Sequence, residues 1–283
     1  MIKLLTPHPA ALAKTLRSRI LVIADLHIGW ELALSKKGIH VPTQTQKLQQ
    51  KLSTLISEYK PQELVVLGDV KHTVAKAEMG EWRDVPEFFS NLKNQVGKIL
   101  VIRGNHDGNL DPLLPENVKT LPATGTSLGG IGFFHGHTWP SPTLLGCKTL
   151  VMGHVHPVVS FRDPSGFRIS KQVWVRADCD KTRFAEVLLQ RHRVKAENNA
   201  EKTLMKHYGV RSRVQQLFIM PSFNDFLGGR PLNVVRGDAK TEMTLGPVLR
   251  SGAVNVEKAE TYLLDGTFLG TLSQLKAIGQ SVA

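Results

Sequence analysis

Cysteine, aromatic residues, acidic residues and long apolar runs are all in short supply in this chain. Two cysteines, Cys147 and Cys179, are too few for a disulfide framework and lack the spacing of a zinc ribbon or a redox pair. That usage fits a reducing, cytoplasmic compartment. No uninterrupted apolar stretch approaches the roughly 18 residues of a membrane span. The start, MIKLLTPHPAALAKTLRSR, is basic but broken by Pro7 and Pro9, and it has no apolar core of the kind a signal peptide needs. Phe, Trp and Tyr together number only 18, mostly in runs that read as core, so stacking platforms for single-stranded nucleic acid are not evident. No DNA-reading motif is present either. The shortage of acid leaves a formal charge of +12, which suits a polyanionic partner but also serves solubility.

The 283 residues, 41% of them hydrophobic, can bury a sizeable core, and no segment is fibrous or low in complexity. We expect one domain over 1–283. Segment 181–213 carries nine Lys or Arg against three Glu, a net +6. It reads as either an insertion or a solvated surface helix, with a nucleic-acid contact as the functional alternative.

Five short runs rich in Val, Ile and Leu each lead directly into a polar cluster. ILVIA runs into Asp25-Leu26-His27, LVVL into Gly68-Asp69, and ILVI into Arg103-Gly104-Asn105-His106-Asp107. IGFF runs into His135-Gly136-His137, and TLVM into Gly153-His154-Val155-His156. Their composition and length predict buried strands. Between the first two, Leu48, Leu52, Leu55, Ile56 and Tyr59 mark one face of a helix stopped by Pro61, and Trp82, Val85, Phe88, Phe89 and Leu92 repeat that spacing before the third. This alternation predicts a parallel sheet covered by helices. Further on, Asp163-Pro-Ser-Gly166 reads as a turn between two strands, and Asp265-Gly266 as a two-residue hairpin turn. The expectation is α/β: two packed sheets with flanking helices outside.

Ligands of open α/β sheets bind beyond the carboxyl ends of the strands, where these polar clusters fall. Singly, each has an ordinary explanation: Asp25 and Asp69 as loop acids or helix caps, Asn105 as a turn residue, His135 as a hydrogen-bonded histidine. Five successive strand ends of this kind within one sheet are harder to explain unless they converge. Carboxylate, amide and imidazole donors without thiolate suit Mn, Fe, Zn or similar divalent ions. Seven candidates exceed what one open site uses and suit two metals, which can activate water and stabilise an in-line displacement at phosphorus.

In order and spacing, Asp25-Leu26-His27, Gly68-Asp69, Gly104-Asn105-His106-Asp107, His135 and Gly153-His154-Val155-His156 resemble the calcineurin-like metallophosphoesterase superfamily. DLHIGWELALSKKGIHVP, GHVHP, MPSFNDFLGG, LGPVLRSG and ETYLLDGTFLG resemble its small archaeal and bacterial branch, whose bacterial members accompany DNA ligase and helicase genes. The resemblance implies an αββα metallophosphoesterase sandwich with two divalent metals, Mn²⁺ first and Fe, Zn or Mg as alternatives. It implies that Asp25, His27 and His156 hold one metal, that Asp69 bridges, and that Asn105, His135 and His154 hold the other, with a bridging hydroxide as nucleophile. His106 would face the phosphate as a catalytic residue. His137 would touch substrate or simply sit on its loop. Many members read Gly-Asp-x-x-Asp, the second Asp orienting the histidine equivalent to His106. Here position 72 is His, so that dyad is in doubt, and His72 becomes a candidate cationic or hydrogen-bonding contact to phosphate. The function implied is phosphodiester hydrolysis of nucleic acid, with phosphomonoester or small cyclic nucleotide hydrolysis as the alternative and a non-catalytic scaffold behind both. A helicase or DNA ligase partner and pairing into a homodimer follow by analogy.

Overall fold

A computed structural model of the chain describes residues 1–16, 18–163, 165–196, 199–234 and 245–281. Pro164 of the expected turn and Glu197 of the basic segment lie outside them. The chain begins with strands β1 (Ile2–Leu4), β2 (Ala11–Lys14) and β3 (Arg19–Ile23), then helices α1 (Trp30–Ser35) and α2 (Thr45–Tyr59). β4 (Glu63–Leu67), α3 (Met79–Ser90), β5 (Lys98–Ile102) and β6 (Val118–Leu121) follow. Next come β7 (Thr126–Leu128), β8 (Ile131–Phe134), β9 (Thr149–Met152), β10 (Pro157–Arg162) and β11 (Arg168–Asp178). Helices α4 (Lys181–Arg191) and α5 (Ala200–Tyr208) precede β12 (Gln216–Ile219), β13 (Arg230–Pro231), β14 (Glu260–Leu263), β15 (Phe268–Thr271) and α6 (Leu272–Ser281).

The strands form two sheets among the described residues. The first runs β1-β2-β3-β4-β5-β6, antiparallel up to β3 and parallel from β3 to β6. The second runs β13-β10-β11-β12-β9-β8-β7, with β14 and β15 branching from β11. Facing side chains of the two sheets, including Val22, Val65, Leu100, Phe133, Val151 and Trp174, form the layer between them. Leu48, Leu52, Leu55, Phe88 and Phe89 of α2 and α3 cover the outer face of the first sheet against Leu21, Leu64 and Ile99. The outer face of the second is covered by Phe184, Leu188 and Leu189 of α4, Leu204 of α5 and Leu275 of α6. The order helix, sheet, sheet, helix follows from sheets that are apolar on both faces and need two covers each. Segment 181–213 thus supplies outer helices, their apolar faces inward and their basic side chains turned out.

All five expected strands are present, as β3, β4, β5, β8 and β9, but they do not share one sheet. β3, β4 and β5 belong to the first and β8 and β9 to the second. Short apolar runs carry no mark of sheet membership, and β8 and β9 pair in parallel just as the first three do. Convergence survives because both sheets direct these strand ends to one end of the sandwich, where the Leu67 carbonyl of β4 meets His135 and the Asp25 carboxylate meets the His154 amide. The expected face of α3 is buried at Val85, Phe88 and Phe89, and Leu92 just beyond it is buried too, but one position departs. Trp82 is 47% exposed whereas Glu81 is fully buried. The Asp265-Gly266 turn does join β14 to β15, but four residues intervene and the register shifts at Thr261/Tyr262, so the two-residue turn becomes a longer loop. The β10–β11 hairpin forms where expected. Both cysteines are free, and no described helix is long and apolar enough to cross a membrane.

Phe133 is fully buried between the sheets. Phe133→Ala is expected to cost about 3–5 kcal/mol, read as a lowered midpoint in chemical denaturation with an unchanged slope.

Candidate metal centre

Three of the five strand ends, those of β3, β4 and β9, deliver their polar residues through an abrupt change of backbone direction. Asp25, His27, Asp69, His154 and His156 all have positive φ, between 44° and 71°. Non-glycine residues rarely adopt this region, and such strain gathers where side chains must be aimed. Past the ends of β3 and β4 the two chains remain tied: His27 N–H donates to the Asp69 carbonyl (2.8 Å), Ile28 N–H to Val70 (2.8 Å), and His72 N–H back to Ile28 (3.0 Å). The turns are therefore held as a pair. Close approach demands glycine at two junctions. A Cβ on Gly68, itself at φ 75°, would lie 2.5 Å from His135 Nδ1, and one on Gly104 would lie 2.1 Å from Asp69 Oδ1.

The side chains so aimed form two groups around one shared carboxylate. Donor atoms of Asp25, His27, Asp69 and His156 lie within 4.8 Å of one another, as do those of Asp69, His135 and His154. Asn105 joins the second group, its Oδ1 3.2 Å from His135 Nε2. Asp69 Oδ2 stands 3.4 Å from His27 Nε2 and 3.5 Å from His135 Nε2, and Asp25 Oδ1 stands 3.4 Å from His156 Nε2. The structure therefore brings all seven expected ligand candidates together.

Whether these residues suit cations can be judged from atoms left without partners. His27 Nε2 and His156 Nε2 are buried yet make no hydrogen bond, although buried polar atoms nearly always do. Each points at a carboxylate from a little too far away, as ligands around a common ion would. His135 Nδ1 donates to the Leu67 carbonyl (2.6 Å), which leaves the Nε2 lone pair facing the oxygens of Asn105 and Asp69. Acceptors aimed at one another require a positive charge between them. Without metal, a proton takes that place: burial alone would lower the His135 pKa, but the Asp69 and Asp25 carboxylates raise it to about 9. His154, in contrast, is pushed down to about 4, by burial and then by charged His135. Burial works to raise both aspartates, yet the facing histidines hold Asp25 and Asp69 well below the usual carboxylate range. Oxygen and imidazole donors of this kind fit divalent cations, and a deprotonated His135 is a condition of binding.

His106 lies beside the first group, its ring 4.7 Å from that of His27. Its amide donates to Asp69 Oδ1 (2.8 Å), and its Nδ1 donates to the main-chain carbonyl of His72. The contact that orients His106 thus comes from the backbone at position 72, and the missing carboxylate there has a substitute. The His72 side chain goes elsewhere, its Nδ1 3.2 Å from His27 Nδ1. Burial, followed by the neighbouring His27 and His106, lowers its pKa to about 4. His137 packs beside the second group, 5.1 Å from the His135 ring, with Nδ1 buried and unpartnered.

Several supporting residues carried no expectation. Buried Asp107 accepts the amides of Val70 (2.8 Å) and Gly104 (2.7 Å), tying the second motif to the third. Burial, reinforced by Asp69, pushes its pKa up to about 6. Glu81 accepts the amides of His72 (3.0 Å) and Thr73 (2.7 Å), fixing the loop whose carbonyl holds His106. Ser222 Oγ donates to the Asp25 carbonyl (3.0 Å), and Asn224 Nδ2 to Leu26 (2.9 Å). The sequence signals were an acid on the apolar side of α3 and the polar pair inside MPSFNDF. Gly104→Ala is expected to displace Asp69 and reduce bound metal from two ions per chain, with elemental analysis after dialysis against Mn²⁺ as the measurement.

Comparison with known proteins agrees with this geometry. The model of the calcineurin-like phosphoesterase family matches residues 18–226. No curated protein matches the chain by sequence. Among solved structures, Pseudomonas putida nuclease MPE superposes with a TM-score of 0.51 at 19% identity, covering 94% of this chain and 98% of that one. YfcE, a phosphoesterase from E. coli, gives a TM-score of 0.33 at 22% identity over 51% of this chain and 73% of its own. The first of these shows the likeness of fold, and the family match covers the strand-end motifs from Asp25 to His156. This chain belongs to the calcineurin-like phosphoesterase family and is a metal-dependent hydrolase acting on ester bonds.

Proposed function

We propose that the chain hydrolyses phosphodiester bonds in nucleic acid, using two divalent cations, most readily Mn²⁺. The observation that carries the two-cation reading is the sharing of Asp69 between two donor groups. Asp25, His27, His156 and Asp69 hold one cation, and Asp69, Asn105, His135 and His154 the other. When bound, such a pair lowers the pKa of water and offsets the charge developing on phosphate oxygens. Asp69, fixed by the His106 amide and aimed by its left-handed backbone, sets the spacing of the two donor groups. His135 presents Nε2 because Leu67 holds its Nδ1 proton. His106, with its Nδ1–H likewise tied to a carbonyl, aims Nε2 outward, and when the ring carries a second proton there it can pass that proton to the leaving oxygen and return to the neutral Nδ1–H form.

Nucleic acid as the substrate is supported by the charge of +12 and by the two outer helices that concentrate part of it. A polyanion gains affinity from such a surface, whereas a small monoester has little to gain. The name of the Pseudomonas putida neighbour, a nuclease, is in keeping with this reading.

Asp69→Asn and His154→Ala are each expected to abolish Mn²⁺-dependent hydrolysis of bis-p-nitrophenyl phosphate while circular dichroism and melting stay native. Undiminished turnover in both would exclude the two-cation assignment. Compared across bis-p-nitrophenyl phosphate, p-nitrophenyl phosphate and labelled single- and double-stranded DNA and RNA, the diesters are expected to be cleaved and chelator to stop it. A strong preference for the monoester with all nucleic acids intact would reject the reading.

A further inference from the structure

His27 has to satisfy two demands at once. Its Nε2 faces Asp69 Oδ2 at 3.4 Å within the first donor group, and to hold a cation there it must present a lone pair. A neutral imidazole carries one lone pair and one N–H, so the proton of His27 then belongs on Nδ1. The residue is buried, and a buried donor left without an acceptor is costly. The partner that the fold supplies is Nδ1 of His72, 3.2 Å away, the two rings standing edge to face with centroids 5.3 Å apart.

Two other histidines of the centre meet the same demand with the main chain. His135 gives its Nδ1–H to the Leu67 carbonyl, and His106 gives its own to the His72 carbonyl. His27 is the one of these three that relies on a side chain. That side chain is held from behind. The His72 amide is shared between the Ile28 carbonyl (3.0 Å) and Glu81 Oε1 (3.0 Å), and Lys71 bridges in parallel to Ile28. The ladder that ties the first two loops together thus delivers one ring to the other.

Donor atoms of His27, His72 and His106 also lie within 4.8 Å of one another, which raises the alternative of a separate ion among them. The number of lone pairs goes against it. While Nε2 serves the first donor group, His27 Nδ1 has none to give, and His106 Nδ1 is committed to a carbonyl. With a proton on His27 Nδ1, the short contact between nitrogens is a hydrogen bond in which His72 accepts.

We propose that His72 is a positioning residue for the first cation: its Nδ1 lone pair takes the His27 Nδ1 proton and so fixes the tautomer and ring orientation in which His27 Nε2 is a ligand. His72 then carries its own proton on Nε2. The inference rests on the two-cation reading and is independent of which phosphoester is cut. It gives the side chain at position 72 a task separate from that of its carbonyl, which serves His106.

Mn²⁺ binding to the metal-free chain, followed by the electron paramagnetic resonance signal of the free ion, tests this without reference to turnover. The native chain is expected to take up two ions. His72→Phe keeps an aromatic ring and the carbonyl but has no acceptor, and it is expected to weaken one of the two ions by about 10- to 100-fold, as loss of an outer partner does. His72→Asn, whose Oδ1 branches from Cγ as Nδ1 does, is expected to recover most of that loss, with circular dichroism native in both variants. Fewer than two ions on the native chain would overturn the two-cation reading and this proposal with it. Two ions on the native chain, bound as tightly by the Phe variant, would leave that reading standing and refute the role of His72. Equal losses in the Phe and Asn variants would refute acceptance at Nδ1. A third ion on the native chain, absent from both variants, would assign the three histidines to a site of their own and refute it as well.

Discussion

Asp69 touches three of the loops that build the site. Its carbonyl accepts the His27 amide, one carboxylate oxygen takes the His106 amide, and the other faces His27 and His135. A carboxylate only 2% exposed is costly to bury unless opposed by positive charge and donors. The surrounding loops meet that demand: histidines arrive from both sheets, and Gly68 and Gly104 let the backbones approach closely enough to bring them. The division of the strands between two sheets thereby becomes useful, since one donor group draws on β3, β4 and β9 and the other on β4, β5, β8 and β9.

Much of this was legible in the sequence because strand and ligand are adjacent in the chain. A buried strand declares itself by composition, and the residue after it is placed by continuity alone, so Asp25, Asp69, Asn105, His135 and His154 could be named before any coordinates. Sheet membership could not, since β8 and β9 obey the same local grammar as β3, β4 and β5. Nor could the exchange at the start of α3, where Trp82 faces solvent and Glu81 the interior although Val85, Phe88 and Phe89 are buried as expected. Apolar periodicity assumes that the buried side of a helix seeks oil. Here Glu81 turns inward to two amides of the loop just ahead of the helix, a demand that apolar periodicity does not register. The exposure of Phe161 and Phe167 was hidden for the converse reason: a Phe in or beside a strand reads as core unless one knows where the sheet stops.

Position 72 shows how a departure from a family pattern can leave the arrangement intact. The carbonyl that takes the His106 Nδ1 proton belongs to the backbone and persists whatever side chain is attached. Its location is fixed by Glu81 and by the ladder joining His72 to Ile28. The imidazole of His72 is thereby free for a different contact, and it sits against His27 Nδ1, on the far side of the ring from Asp69.

The left-handed turns at Asp25, His27, Asp69, His154 and His156 bear on how the centre is loaded. Each is an unfavourable conformation tied by hydrogen bonds to neighbouring loops. To the extent that folding fixes these turns, the ordering entropy of the site is met by the fold and the cation has less of the chain to rearrange. Such a site discriminates by the size and coordination preference of what enters it, and the proton that the facing carboxylates hold on His135 competes with the cation for the same place.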